Sequence, residues 1–581
     1  MSTFTKVCVG VATAASLLMS GAASAEAPAW TATATFTAPE GAAPGAPFAA
    51  RLDLSTTQMT VEAMPADKFV QVPWAWWGLF DFLAAKDPVG AAPLMQLDTT
   101  LFPGLPMDIV ITEGGDVIPA ERGLIRKPVA TRKPSFWEII AGPGRAWATE
   151  DGWSRASFPI SLAQSYEGEA WLGLASFDYK GSEVTPLRVQ FSSVSAGGFL
   201  FWDPDFDVTA WAEVPVTVAP TSADASTLAA SFANERAALP KTAPLADLGE
   251  DFMAARAMLD PKGTLALAVL MDGTLYMDPV DTPFGPHPYS RDMRVGVWST
   301  TKSLIPGLAA MRLSQKYGPE FLDTTLVSYF TEGAEFAYVD DAARTRWQGV
   351  TIRHALNMMT GMGATGYDPN WASENLNTYQ WSYSYDLADQ IRFYFNVGPN
   401  PEASGPGRTM AYIDQDMWIA TLAMERFLKS KEGDGATILG MLTTEVYDPI
   451  GASHFAAGTG YTATGAPGVP LSAWGALPTI DILAKAGALV ANGGKGPDGS
   501  QILHPDLVAS LFAGPDYGLA FWRHTGAAPF VPYMGGAGGN DVLALPNGMA
   551  IVVLGRDSFN VDVSDEAHEA LIAAARALKP F

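Results

Sequence analysis

The feature that most constrains this chain is a change of texture near residue 220. Residues 26 to about 220 consist of short β-type stretches, such as TATATFTAP, RLDLSTTQMTV, PLRVQFSSVS and DVTAWAEVPVTVAP, punctuated by Gly and Pro. From about 225 the pattern turns to Ala-rich helical runs, TLAASFANERAALP and LGEDFMAARAML. Such different periodicities call for different layer architectures, and 581 residues exceed one ordinary core. The sequence predicts an all-β N-terminal domain over 26–220, expected to be a sandwich, a helical connector over 221–255 and an α+β domain over 256–581. In the last of these, TLALAVLMDGTLYMDP reads as two strands about an Asp-Gly turn. Long helical patterns fill the middle, and the strands VLALP and MAIVVLG precede a final helix, so the sheet should join both ends of the segment.

Residues 1–25 carry one positive charge at Lys6, an apolar stretch from Val7 to Met19, and small residues at Ala23 and Ala25. That layout predicts a secretory leader cleaved after Ala25, hence a periplasmic or secreted protein. The only cysteine, Cys8, lies inside the leader, so the mature chain would have no disulfide and rely on its size for a core. No later apolar run is long enough to span a bilayer. A net charge of −25 disfavours nucleic acid and anionic membrane surfaces as partners. The Trp74, Trp76 and Trp77 cluster in WAWWGLF fits core or interface packing better than a binding platform.

In VWSTTKSL, Ser299 and Lys302 stand three apart where an apolar approach meets a helical run, so both would share a helix face. A serine hydroxyl needs a base within reach to become a nucleophile, and a lysine serves only if its pKa is lowered. The positive end of the helix would favour an oxyanion there and oppose the lysine charge. Pro306 and Gly307, a few residues later, predict a break in the helix beyond the pair. The histidines His287, His354, His454, His504 and His568 are scattered without metal-ligand spacing. GGAGGND is not a phosphate-binding loop, so neither a metal nor a nucleotide cofactor is expected.

Five segments occur in order: VGVWSTTKSL, VTIRHALNMMTGM, PGRTMAYIDQDMWIATLAMERF, LSAWGALPTIDILAKAGALVANGG and GGAGGNDVLALPNGMAIVVLG. Together they resemble the penicillin-binding-protein-like serine hydrolases, which include class C β-lactamases, DD-peptidases, esterases and 6-aminohexanoate-dimer hydrolases. The resemblance covers about residues 260–580 and implies an antiparallel sheet flanked by helices. It implies Ser299 as the acylated nucleophile, Lys302 as its base or base partner and Tyr412 as a proton-transfer group. Trp298, beside the nucleophile, is expected in the site's surroundings. Asp414 stands where the family usually has a neutral residue, and a carboxylate near Lys302 would hold it protonated.

The family's third element, usually Lys-Thr-Gly on a strand, has two candidates here. His524, Thr525 and Gly526 spell one form, while Tyr533, Met534, Gly535 and Gly536 lie closer to the glycine-rich turn and are the preferred match. The second choice leaves no basic residue to hold a substrate carboxylate, which weakens the cell-wall readings. The resemblance therefore implies an ester or amide hydrolase acting on small or peptide-like molecules. The alternatives are a β-lactamase or DD-peptidase, and a binding protein that has kept the fold without the chemistry.

Overall fold

The computed structural model describes residues 35–63, 100–126, 135–163, 170–192, 208–330, 339, 341–362, 387–395, 405–461, 467–526, 529–556 and 563–581. The predicted leader and the Trp74, Trp76 and Trp77 cluster lie outside them.

The N-terminal strands form a meander: β1 (Phe48–Leu54), β2 (Pro106–Ile111), β3 (Asp116–Pro119), β4 (Gly144–Ala148), β5 (Ser154–Ala163), β6 (Ala170–Lys180), β7 (Leu187–Ser192) and β8 (Val208–Val214). Each pairs antiparallel with the next. Only Pro215 separates β8 from Val216–Ala219, which pairs back onto β1 with Val216 opposite Leu54. The order returns to its start, so the sheet is closed on itself. The all-β expectation holds, but the expected sandwich is corrected to a barrel. Closure pairs the edges that two facing sheets would leave free. The bend falls at Pro215, which has no N–H to lose and whose carbonyl accepts from the Ser55 N–H at 3.0 Å.

Alternation along the strands decides what each face does. On β6, Trp171, Ala175, Phe177 and Tyr179 enter the barrel core with Phe48, Phe102, Trp137, Phe158 and Phe191. Eight strands leave an interior about wide enough for side chains to fill, and aromatic rings fill this one. A Cβ on Gly173 would lie 2.3 Å from a Phe191 ring carbon, so its lack of a side chain makes room for that ring. The opposite face of β5 and β6 turns to the C-terminal half. Leu172 joins the core of that half, Leu174 packs with Phe36, and Ser161 Oγ donates to the Arg294 carbonyl at 3.2 Å. β5 and β6 are therefore buried on both faces.

Helix α1 (Ala225–Ala237) follows, its N-terminus capped by the Asp224 carboxylate. Within the predicted connector, β9 (Lys241–Ala243) then joins the edge of the second sheet, and α2 (Glu250–Arg256) packs on its face. That sheet also contains β10 (Thr264–Met271), β11 (Thr274–Met277), β12 (Tyr517–Gly518), β13 (Phe521–His524), β14 (Val531–Gly536), β15 (Asn540–Ala544) and β16 (Ala550–Gly555). Its order is β9-β11-β10-β16-β15-β14-β13-β12, so strands from both ends of the segment meet where β10 pairs with β16. The Asp-Gly turn between β10 and β11 has φ of 48° at Asp272 and 77° at Gly273, which explains that dipeptide. One face of the sheet, through Leu267, Val269, Ile551 and Val553, packs on α2 and the last helix. The other, through Ala268, Leu270, Val552 and Leu554, packs on the large helical core that holds the site described next.

Candidate active site

The run Ser299 to Ser303 opens a helix made of α3 (Thr300–Lys302), a widened turn over Ser303–Gly307 and α4 (Leu308–Tyr317). The break expected at Pro306 is absorbed by that widening, which accommodates a ring that has no N–H to donate. Thr300, Thr301, Lys302 and Ser303 are all buried. Each polar group is tied to a different segment: Thr300 Oγ1 donates to the Asn540 carbonyl at 2.6 Å and Ser303 Oγ to the Ala520 carbonyl at 2.5 Å. Thr301 Oγ1 accepts from the Ala476 N–H at 3.0 Å. The polar run thus locks the helix start between strand, loop and hairpin. Trp298, just before Ser299, takes a left-handed φ of 46°, a conformation that costs a bulky residue roughly 1–3 kcal/mol and turns the chain sharply into the helix.

Lys302 Nζ lies 2.6 Å from Ser299 Oγ and donates to the Ala473 carbonyl at 2.9 Å. Its third partner is Asp414 Oδ1 at 2.7 Å, at the start of α5 (Asp414–Glu432). The Tyr412 ring centroid is 4.9 Å from the same nitrogen. Burial works against the Lys302 charge, but Asp414 and Tyr412 outweigh it and hold the ammonium above its ordinary range. Lys302 is therefore a charged hydrogen-bond donor to Ser299 in this arrangement, as the Asp414 substitution foreshadowed. Tyr412 is one of the few exposed large apolar residues among the described ones, and its ring stacks on Trp522 at 5.8 Å, with Tyr517 edge-on to Trp522.

Strand register separates the two candidates for the third element. Gly536 pairs with Asn540, and a Cβ on it would stand 2.3 Å from the Val297 carbonyl and 2.9 Å from the Thr300 N, so this strand end abuts the start of α3. His524 pairs with Val531, at the opposite end of β14. The five steps from Val531 to Gly536 span about 16 Å of strand. The His524 ring instead lies 6.1 Å from that of His568, on α6 (Asp565–Leu578). Gly535 is beside Trp522 and Tyr533. The structure thus brings Trp298, Ser299, Lys302, Tyr412, Asp414, Gly535 and Gly536 to one place, and His524 to another.

Asp416 was not singled out by the sequence. It is buried in the first turn of α5, where Oδ1 faces Tyr394 Oη at 2.9 Å and Oδ2 faces Thr360 Oγ1 at 3.2 Å. Burial pushes its carboxyl up to about 8, which leaves a neutral acid two residues from Asp414. Among the described residues no group of three or more His, Cys, Asp or Glu is placed to hold a metal ion, and no helix is long and apolar enough to cross a membrane.

Residues 255–575 match the family model described as Beta-lactamase. Similar solved structures include a putative 6-aminohexanoate-dimer hydrolase from Bacillus anthracis, at 15% identity over 58% of this chain and 86% of that one, with a TM-score of 0.43. A penicillin-binding protein homolog from Caulobacter crescentus is 18% identical over 57% of this chain and 98% of that one, with a TM-score of 0.39. A β-lactamase from Sulfitobacter sp. EE-36 is 15% identical over 58% of this chain and all of that one, with a TM-score of 0.40. No curated protein matches.

Proposed function

The chain belongs to the Beta-lactamase family of serine hydrolases, and from that premise we propose that it is an exported hydrolase of ester or amide bonds that works through an acyl-enzyme on Ser299. The observation that carries this reading is the 2.6 Å contact between Lys302 Nζ and Ser299 Oγ, with Tyr412 and Asp414 gathered on the same nitrogen. Because Asp414 keeps Lys302 charged, the lysine acts by stabilising negative charge as it develops on Ser299 Oγ. Tyr412, acting as the phenolate beside the Lys302 ammonium, then carries the proton: it becomes the phenol by taking it from Ser299 as Oγ bonds to the carbonyl carbon, and returns it to the departing alcohol or amine as that bond breaks. Water repeats the sequence in reverse, its oxygen bonding to the acyl carbon while Ser299 leaves and recovers a proton. The Ser299 N–H and one from the strand at Gly535–Gly536 would hold the carbonyl oxygen in both tetrahedral intermediates.

The divisions 1–25, 26–220, 221–255 and 256–581 are proposed as leader, barrel domain, connector and hydrolase domain. Periplasmic or secreted location rests on the leader pattern alone, and N-terminal sequencing of the mature protein should begin at Glu26.

The test is intact mass after a fluorophosphonate probe, wild type beside Ser299→Ala, followed by a penicillin. One adduct that vanishes in the variant is the expected result; no adduct on folded wild type overturns the proposal. A penicillin adduct on Ser299 would move the substrate class toward cell-wall amides and β-lactams.

A further inference from the structure

Where the barrel meets the hydrolase domain there is a cavity of about 60 Å³ whose lining does not include Ser299, Lys302 or Tyr412. Its walls include Arg122 from the barrel, Arg236 from α1, and Arg291 and Arg294 from the segment that leads to the nucleophile. Three carboxylates share the lining, and each is already engaged by an arginine: Glu235 by Arg122, Asp292 by Arg236 at 2.9 Å and Asp481 by Arg291 at 2.6 Å. Asp481 also takes Lys485 at 2.7 Å. Arg294 is the cation left over. It is 6% exposed, its two recorded hydrogen bonds go to the neutral carbonyls of Leu477 and His454, and its buried Nε has no acceptor. The buried Nε of Arg291 has none either.

A buried guanidinium with no direct ion pair, its nearest carboxylates Asp292 and Glu235 being engaged by other arginines, is costly, and two unmet N–H donors on walls of the same cavity add to the cost. Burial and the neighbouring Arg122 charge bring Arg294 down to about 10, while burial pushes Asp292 up against the pull of Arg236 and Arg291. The cavity also borders the start of the helix Ile480–Ala491, through Thr479, Asp481 and Ile482, and that end favours negative charge.

We propose that this junction binds a small oxyanion, a phosphate, sulfate or carboxylate group, held between Arg294 and Arg291 and bridging the barrel to the hydrolase domain. The volume admits an inorganic anion or the end group of a larger acid, and two ordered waters would supply acceptors without the missing charge.

The experiment uses the full mature protein. Inorganic phosphate, sulfate and acetate are titrated at fixed ionic strength against chloride, with thermal unfolding and isothermal calorimetry as readouts. A saturable rise in Tm with one binding equivalent is expected. Preference for phosphate and sulfate identifies a tetrahedral ligand, and preference for acetate identifies a carboxylate. Arg294→Gln should weaken binding at least tenfold. Should that variant not fold, Arg236→Gln at the more exposed rim should still lower affinity severalfold. Responses to all three anions no larger than to chloride, or wild-type affinity in the folded variants, overturn the proposal. Neither readout depends on hydrolysis, so failure here leaves the Ser299 mechanism untouched.

Discussion

Lys302 keeps its charge in a site where burial alone would remove it, because Asp414 stands 2.7 Å away. A lysine raised in the folded state contributes pairing energy that is complete below about 10.5 and lost as pH climbs through the folded value. Replacing Asp414 by Asn should therefore move the alkaline limb of kcat/KM, measured on a nitrophenyl ester, to lower pH; an unmoved limb would count against a charged Lys302. Asp416 runs the other way. Its proton is held to about 8 when folded but leaves near 3.8 when unfolded, so its ionisation costs stability that grows between those values. Asp416→Asn should stabilise the protein at pH 7, on the order of a few kcal/mol, and have little effect at pH 4, as read from urea unfolding. The spacing of Ser299 and Lys302 was legible because three residues make nearly one turn. Asp416 was not: an acid in a first helical turn looks like ordinary dipole chemistry, and its burial depends on Tyr394 and Thr360 from other segments.

At the scale of elements, the site depends on one strand end fitting against one helix start. Gly536→Ala puts a carbon 2.3 Å from the Val297 carbonyl, a backbone atom that cannot step aside alone. The expected outcome is a fall of about 100-fold or more in kcat, since a shift of about 1 Å is enough for that, with circular dichroism unchanged. Thr300→Val removes the 2.6 Å bond to the Asn540 carbonyl and leaves that buried oxygen short of a donor, for a loss of about 1–3 kcal/mol in thermal unfolding. The hairpin at Asp272-Gly273 was readable because the turn chemistry is local. Pairing register, which no local pattern reveals, puts Gly536 against the start of α3 and His524 at the far end of its neighbour strand. Pro306 signalled a disturbance, but its form, a widened turn that keeps the helix going, came from the packing around it.

The whole molecule joins a filled barrel to a hydrolase domain through a shared wall, β5 and β6. With Leu172 buried in the hydrolase core, calorimetry should show one main transition, and Leu172→Asp should split it or lower it by roughly 3 kcal/mol or more. That the N-terminal half is all β could be read from its turns, but its closure could not. Closure is decided by Pro215 and by pairing between β1 and Val216–Ala219, more than 160 residues apart in sequence. The pairing of β10 with β16, and of the Ser299 turn with Gly536, has a consequence in time. The strands of the barrel are all available once residue 219 has emerged from the ribosome, whereas the hydrolase sheet waits for residues 550–555. A growing chain holds its serine and lysine for more than two hundred residues before their strand arrives. A product stopped at residue 530 should leave Ser299 unlabelled by a fluorophosphonate: the enzyme stays silent until its synthesis is nearly finished.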